Sequence, residues 1–283
     1  MMNNSNIFDY TQLAEASYVN FWDGNKLETN SEIMLGYLQN EDRGGKFSKT
    51  QATELLQDWS VLAQYRDRTE ESSFSATLFK NKDTNEYVFA CKGTAELYVD
   101  GAEADIGDMV HDGLAIYQIV DMYNFWQQIN APKGKSYKVR VLEENGVESV
   151  ALAEAFFRQE QDQTGEGTAL QRSLQAQGYV IESNPVTGSR RVMRFVEKDS
   201  SQIYTGDGDD RATGLGINIH PSKVTVTGHS LGGHLSAAFS RLFPKLVDDC
   251  LMINGAGYAD FGTSGVGAGN IPLRPTFLSC FSH

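Results

Sequence analysis

The chain has 283 residues, 40% hydrophobic and 11% aromatic, with a formal net charge of −13. That length and balance suit a globular domain with a full hydrophobic core and exclude a disordered chain. The acidic charge disfavours nucleic acid and electrostatic docking on anionic lipid, and no apolar run is long enough for a membrane-spanning helix.

Met1 to Asn6 is polar and carries no apolar h-region, so no cleavable signal peptide is expected. Such a protein would stay cytoplasmic or leave the cell by a signal-peptide-independent route. Asp9 to Val19 reads as a short helix with Asp9 as its N-cap. A second helix opens at Ser48, where Ser48 and Gln51 have capping-box spacing and Phe47 and Ala52 could staple the end. Leu55, Leu56 and Trp59 would face inward. Strands follow at Val61–Tyr65, Phe74–Phe79 and Tyr87–Cys91, the last two joined by the turn sequence Asn81-Lys82-Asp83-Thr84-Asn85.

After an acidic, glycine-containing loop, Leu114–Ile129 reads as a long helix. From Ser136 to His220 the periodicity weakens, leaving a strand near Tyr137–Leu142 and helical stretches around Val150–Phe157 and Ala169–Gln177. Gly206-Asp207-Gly208-Asp209-Asp210 is a turn cluster. Its aspartates are of the type that binds calcium, but without EF-hand spacing they read as a solvated loop, and no cofactor is expected. Of the three cysteines, Cys280 stands near the end of the chain, while Cys91 and Cys250 fall in apolar runs and read as small core residues. The odd count and wide spacing exclude a disulfide framework or a zinc motif.

The last third is the most legible. Val224–Thr227 is a β-branched strand, Leu231–Phe243 a helix ended by Pro244, and Cys250–Ile253 a further strand. Strand, helix, strand at this spacing is a βαβ unit and implies a parallel sheet. Between the first strand and the helix stands Gly228-His229-Ser230-Leu231-Gly232, a Gly-x-Ser-x-Gly motif in the strand–turn–helix context that an exposed nucleophile requires. The glycines keep side chains out of a strained turn, and the helix N-terminus beneath Ser230 favours negative charge on a substrate oxygen. Ser230 is thus the candidate catalytic nucleophile. The backbone N–H of Leu231 is one candidate oxyanion donor. A second would come from the end of an earlier strand, and Lys92-Gly93-Thr94 follows such a strand.

The elbow Gly228–Leu235 together with Lys92-Gly93-Thr94 resembles the class 3 lipases, among them bacterial lipases and phospholipases A1 that are often fused to glycine-rich calcium repeats. The resemblance covers roughly residues 8 to 265. It implies an α/β-hydrolase fold, a mostly parallel central sheet flanked by helices, with a lid over the site. It also implies Thr94 as the second oxyanion donor, and hydrolysis of carboxylic esters such as acylglycerols or phospholipids. That group usually has arginine where Lys92 stands. The partners implied are a lipid or ester substrate and transient contact with a lipid surface.

In an α/β-hydrolase the acid and then the histidine follow the nucleophile in chain order. After Ser230 the chain holds the acids Asp248, Asp249 and Asp260 and the histidines His234 and His283. His234, one turn into the helix, reads as a helix-surface or packing residue. Asp248 and Asp249 precede a strand, at the wrong edge of a parallel sheet. Asp260 follows that strand at the right edge, and His283 would then be the base, although it is a terminal residue. The alternative is a single hydrolase domain over 1–283 that is truncated or frame-shifted after about residue 271, its true acid and base lost. Two further readings stand beside the hydrolase: an impaired fragment that binds lipid or a partner, and a peptidase or acyltransferase using the same nucleophile.

Overall fold

Short strands with buried residues on both faces leave one sheet in need of cover from each side, and helices supply it. The computed structural model describes residues 4–66, 74–93, 115–144, 179–183, 190–219 and 222–255. Among them the helices are α1 (Asn4–Ala16), α2 (Ser31–Gln39), α3 (Lys49–Asp58), α4 (Ile116–Asn130), α5 (Ser200–Ile203) and α6 (Leu231–Leu242). The strands are β1 (Trp22–Asp23), β2 (Lys26–Leu27), β3 (Trp59–Gln64), β4 (Ala76–Asn81), β5 (Tyr87–Cys91), β6 (Lys138–Glu144), β7 (Tyr179–Ser183), β8 (Arg190–Asp199), β9 (Val224–His229) and β10 (Val247–Ile253).

The main sheet has the order β10-β9-β5-β4-β3. Its β3, β4 and β5 run antiparallel, whereas β5, β9 and β10 are parallel, so the fold is mixed α/β around a mixed sheet. The parallel half is the one the βαβ pattern implied, with α6 as the crossover. The antiparallel half comes from the hairpin at Asn81–Asn85. There the Asn81 side chain accepts the N–H groups of Asp83 and Thr84, and Asn85 takes a positive φ of 60°.

Strand alternation divides the core in two. Phe89, Cys91, Val224 and Val226 face α4 and α6, in a cluster where Phe239 stacks on Phe89 at 5.0 Å and meets Trp126 edge-on at 4.9 Å. Val88, Ala90 and Phe79 face the other way, towards α1, α2 and α3. An irregularity in β3 between Val61 and Ala63 inserts one residue, which turns Val61 to the second cluster and Ala63 to the first. A separate sheet of order β6-β8-β7 packs beside α4. Asn124 of α4 fastens it, donating to the Arg140 carbonyl at 2.8 Å and accepting the Arg140 N–H at 2.7 Å.

Several expectations need correction. The first helix begins at Asn4, so Asp9 lies inside it and is not its N-cap. The hairpin β7–β8 and helix α2 escaped the sequence, the former because it lies in the weakly periodic stretch between Ser136 and His220. Asp248 and Asp249 stand within β10 and do not precede it, although at its N-terminal end. Cys91 is buried as expected, but Cys250 is only half-buried, on a strand with one described neighbour. The capping box of α3 is present in full, with Phe47, Ala52, Leu55, Leu56 and Trp59 all buried. The helical stretches expected at Val150–Phe157 and Ala169–Gln177 lie outside the described residues, as do Thr94, Asp260, Cys280 and His283. No described helix is long and apolar enough to cross a membrane.

Candidate functional site

The register of the parallel strands brings their ends to one edge. Cys91 pairs with Gly228, which pairs in turn with Met252, and the next residues of all three strands lie at the same level. Ser230 follows β9 there and precedes α6. Its backbone holds φ 55° and ψ −121°, a conformation that costs a non-glycine residue roughly 1–3 kcal/mol. Neighbours on both sides hold it. The Ser230 N–H donates to the Ile253 carbonyl at 3.0 Å, and the Ser230 carbonyl accepts from Gly233 at 3.0 Å and His234 at 3.3 Å.

The turn is as tight as the flanking glycines suggest. A Cβ at Gly228 would fall on the carbonyl of Gly232, and one at Gly232 on the carbonyl of Cys91. The chain can close between strand and helix only because neither residue has a side chain.

Ser230 is half-buried, and its side chain does not cap α6. Its hydroxyl is therefore not consumed by the helix it begins. Leu231 is the first residue of α6, and the N–H groups of a helix's first turn have no carbonyl partner within the helix. They add to the positive end of the helix dipole, so an anionic oxygen beside Ser230 would meet a favourable field.

The second strand end is tied to the elbow by a residue that sequence reasoning missed. Tyr18, just beyond α1, accepts the Gly93 N–H at 3.1 Å, and its hydroxyl lies 3.4 Å from His229 Nδ1. Burial is the main cause that raises the Tyr18 phenol above its ordinary value, so it stays a neutral hydroxyl. Gly93 packs so closely that a Cβ there would strike both the His229 carbonyl and the Tyr18 hydroxyl. Lys92 and Gly93 thus stand beside the elbow as the sequence suggested, and Thr94, the next residue, lies outside the described part. No local pattern marks Tyr18, because its role arises only when α1 is laid across the sheet.

The other histidine expectation resolves cleanly. His234 is fully buried, and its Nε2 receives the N–H of Ala115, the residue just ahead of α4, at 3.5 Å. That is a packing role inside the protein and not on a helix surface. Asp248 is exposed and lies 3.5 Å from the Lys223 ammonium. It sits at the far end of β10, a strand length of about 20 Å from the Ser230 edge. In the aspartate cluster, the Asp209 carboxylate pairs with Arg211 at 2.9 Å, with both side chains largely buried. Among the described residues no group of three or more His, Cys, Asp or Glu side chains is gathered as a metal site would need. Comparison with protein-family models, curated proteins and solved structures returned no match.

Proposed function

We propose that this chain is a serine carboxylic-ester hydrolase of the α/β-hydrolase type, similar to class 3 lipases, that acts on lipid esters through an acyl-enzyme on Ser230. The observation that carries the reading is the backbone of Ser230, strained at φ 55° between a parallel strand and a helix N-terminus. A strained serine with a hydroxyl left free of helix capping is what an exposed nucleophile needs, and a structural turn has no use for it.

In the proposed reaction the Ser230 hydroxyl attacks the ester carbonyl carbon and its proton passes to a general base. The carbonyl oxygen becomes an oxyanion held by the Leu231 N–H, with Thr94 as the second proposed donor. The base returns the proton to the departing alcohol, leaving an acyl ester on Ser230. Water then repeats the sequence and releases the acid. Asp260 and His283 are the candidate acid and base.

A fluorophosphonate probe tests the reading without knowledge of the natural ester. Labelling mapped to Ser230, and lost in Ser230→Ala, is the expected result. A folded protein that resists the probe at Ser230 would overturn it and leave a binding role for the same fold.

A further inference from the structure

Beside the elbow the backbone ladder of β5 gives way to a side chain. Lys92 still donates its N–H to the Ser75 carbonyl at 2.9 Å, which carries the pairing with β4 one residue past β5. Successive N–H groups of a strand point to opposite sides, so the Gly93 N–H turns towards β9. Register puts Gly93 level with Ser230, where β9 has already left the sheet for the elbow. The oxygen that meets the Gly93 N–H there is the Tyr18 hydroxyl, at 3.1 Å. Gly93 is buried, so this bond satisfies a donor that would otherwise be costly to leave unpaired. Accepting from Gly93 leaves the phenol its own proton, and His229 Nδ1 lies 3.4 Å away. One oxygen therefore touches both the β5 end and the residue before Ser230.

That oxygen is mounted from elsewhere in the protein. The Tyr18 N–H donates to the Glu15 carbonyl at 3.1 Å, and the Val19 carbonyl accepts from the buried Gln64 side chain at 2.7 Å. The same Gln64 accepts the Phe21 N–H at 2.9 Å, so the chain leaving Tyr18 is tied to β3. Gly44 packs so closely that a Cβ there would strike the Tyr18 carbonyl. Tyr18 is thus fixed by β3 and by the turn at Gly44, neither of which belongs to the elbow.

We infer that Tyr18 is a positioning residue for the reaction at Ser230, its hydroxyl fixing the Lys92-Gly93 end of β5 against the elbow and so setting the oxyanion donor supplied from that end. This rests on the reading of Ser230 as an ester-hydrolysing nucleophile and of Thr94, one peptide bond beyond Gly93, as the second donor. Such a donor lowers the barrier only if it is aimed before the charge develops, and removing one costs about 10²–10³ in rate. Loosening one costs less, because the donor is still there. The loss falls on the maximal rate, since the donor matters to the oxyanion far more than to the neutral ester. A tyrosine that only stapled the fold would lower stability and leave the chemistry of each folded molecule intact.

The test uses the full chain with Tyr18→Phe, which keeps the ring and removes the oxygen. Saturation labelling with a fluorophosphonate should show the maximal rate reduced about tenfold and the half-saturating concentration changed by less than about twofold. Tyr10→Phe is the matched control. It removes a phenol bond from α1 to Glu86, just ahead of β5 and so at the opposite edge of the sheet, and should leave the maximal rate unchanged. Amide exchange at Gly93 should accelerate roughly tenfold in Tyr18→Phe and not in Tyr10→Phe. A maximal rate in Tyr18→Phe equal to that of the unmodified chain, whatever its melting temperature, would overturn the inference and leave a structural staple. An equal loss of rate in Tyr10→Phe would overturn it too, since the effect would then not belong to the elbow. Failure of the unmodified chain to react would sink the hydrolase reading instead, and the Gly93 exchange rates would then decide by themselves whether Tyr18 holds the β5 end.

Discussion

A serine at φ 55° is held there by its surroundings, since its own backbone preference lies elsewhere. Relief of that strain separates two variants that both lack the hydroxyl. Ser230→Gly should be more stable than Ser230→Ala by about 1 kcal/mol in urea denaturation, because glycine adopts the conformation without a Cβ clash. Equal stabilities would mean that the turn stores no strain. Asp9 gives a second test at this scale. Burial first, and then the charges of Asp58 and Glu86, raise its carboxyl above the ordinary value. A carboxyl whose folded pKa is raised destabilises the fold where it is ionised, and the penalty disappears as pH falls through the folded and then the unfolded value. Asp9→Asn should therefore raise Tm at pH 7, with the gain gone below about pH 4. The elbow was legible from five residues because strand, glycines and helix are all local. The misplacement of Asp9 is the converse: an aspartate reads as a cap by type, and only the chain before it decides whether the helix has already begun.

At the scale of elements, α3 shows local signals in agreement. Ser48 accepts the Gln51 N–H while the Gln51 side chain accepts the Ser48 N–H, and Leu55 and Leu56 bury the apolar face. Ser48→Ala should cost about 1 kcal/mol of stability, measured by thermal or urea denaturation, with the fold retained. The βαβ unit at β9, α6 and β10 was equally readable, since its period changes from strand to helix at the glycines. The β7–β8 hairpin was not. Turn residues do stand ahead of it, at Asn184-Pro185 and Gly188, but Arg190 to Asp199 pairs its apolar residues side by side, as Val192-Met193 and Phe195-Val196, and so lacks the strict alternation of a half-buried strand. Pairing across the sheet, and not local preference, makes it a strand.

For the whole molecule, the decisive joints are side chains that bind backbone far away in sequence. Gln64, buried in β3, donates to the Val19 carbonyl at 2.7 Å and accepts the Phe21 N–H at 2.9 Å, which fixes the chain leaving α1. Asn124 does the same for the smaller sheet. Asn124→Ala would leave both the N–H and the carbonyl of Arg140 without this partner, at a cost of about 2 kcal/mol. Hydrogen exchange should then accelerate in β6 and β8 while β5 and β9 keep their protection. Uniform acceleration would show instead that the two sheets open as one unit.

Ser230, Leu231, the strand ahead of them and the helix behind were determined by the sequence alone, because the strain, the tight glycines and the small-residue helix all belong to one contiguous stretch. Tertiary structure decided what surrounds that stretch. It set the mixed sheet order that aligns Cys91 with Gly228, the Tyr18 hydroxyl that ties Gly93 to His229, and the burial of His234 against the start of α4. These contacts join residues up to 211 positions apart. No local pattern encodes such a meeting, which is made by burying the apolar faces of α1 and α6 on opposite sides of one sheet.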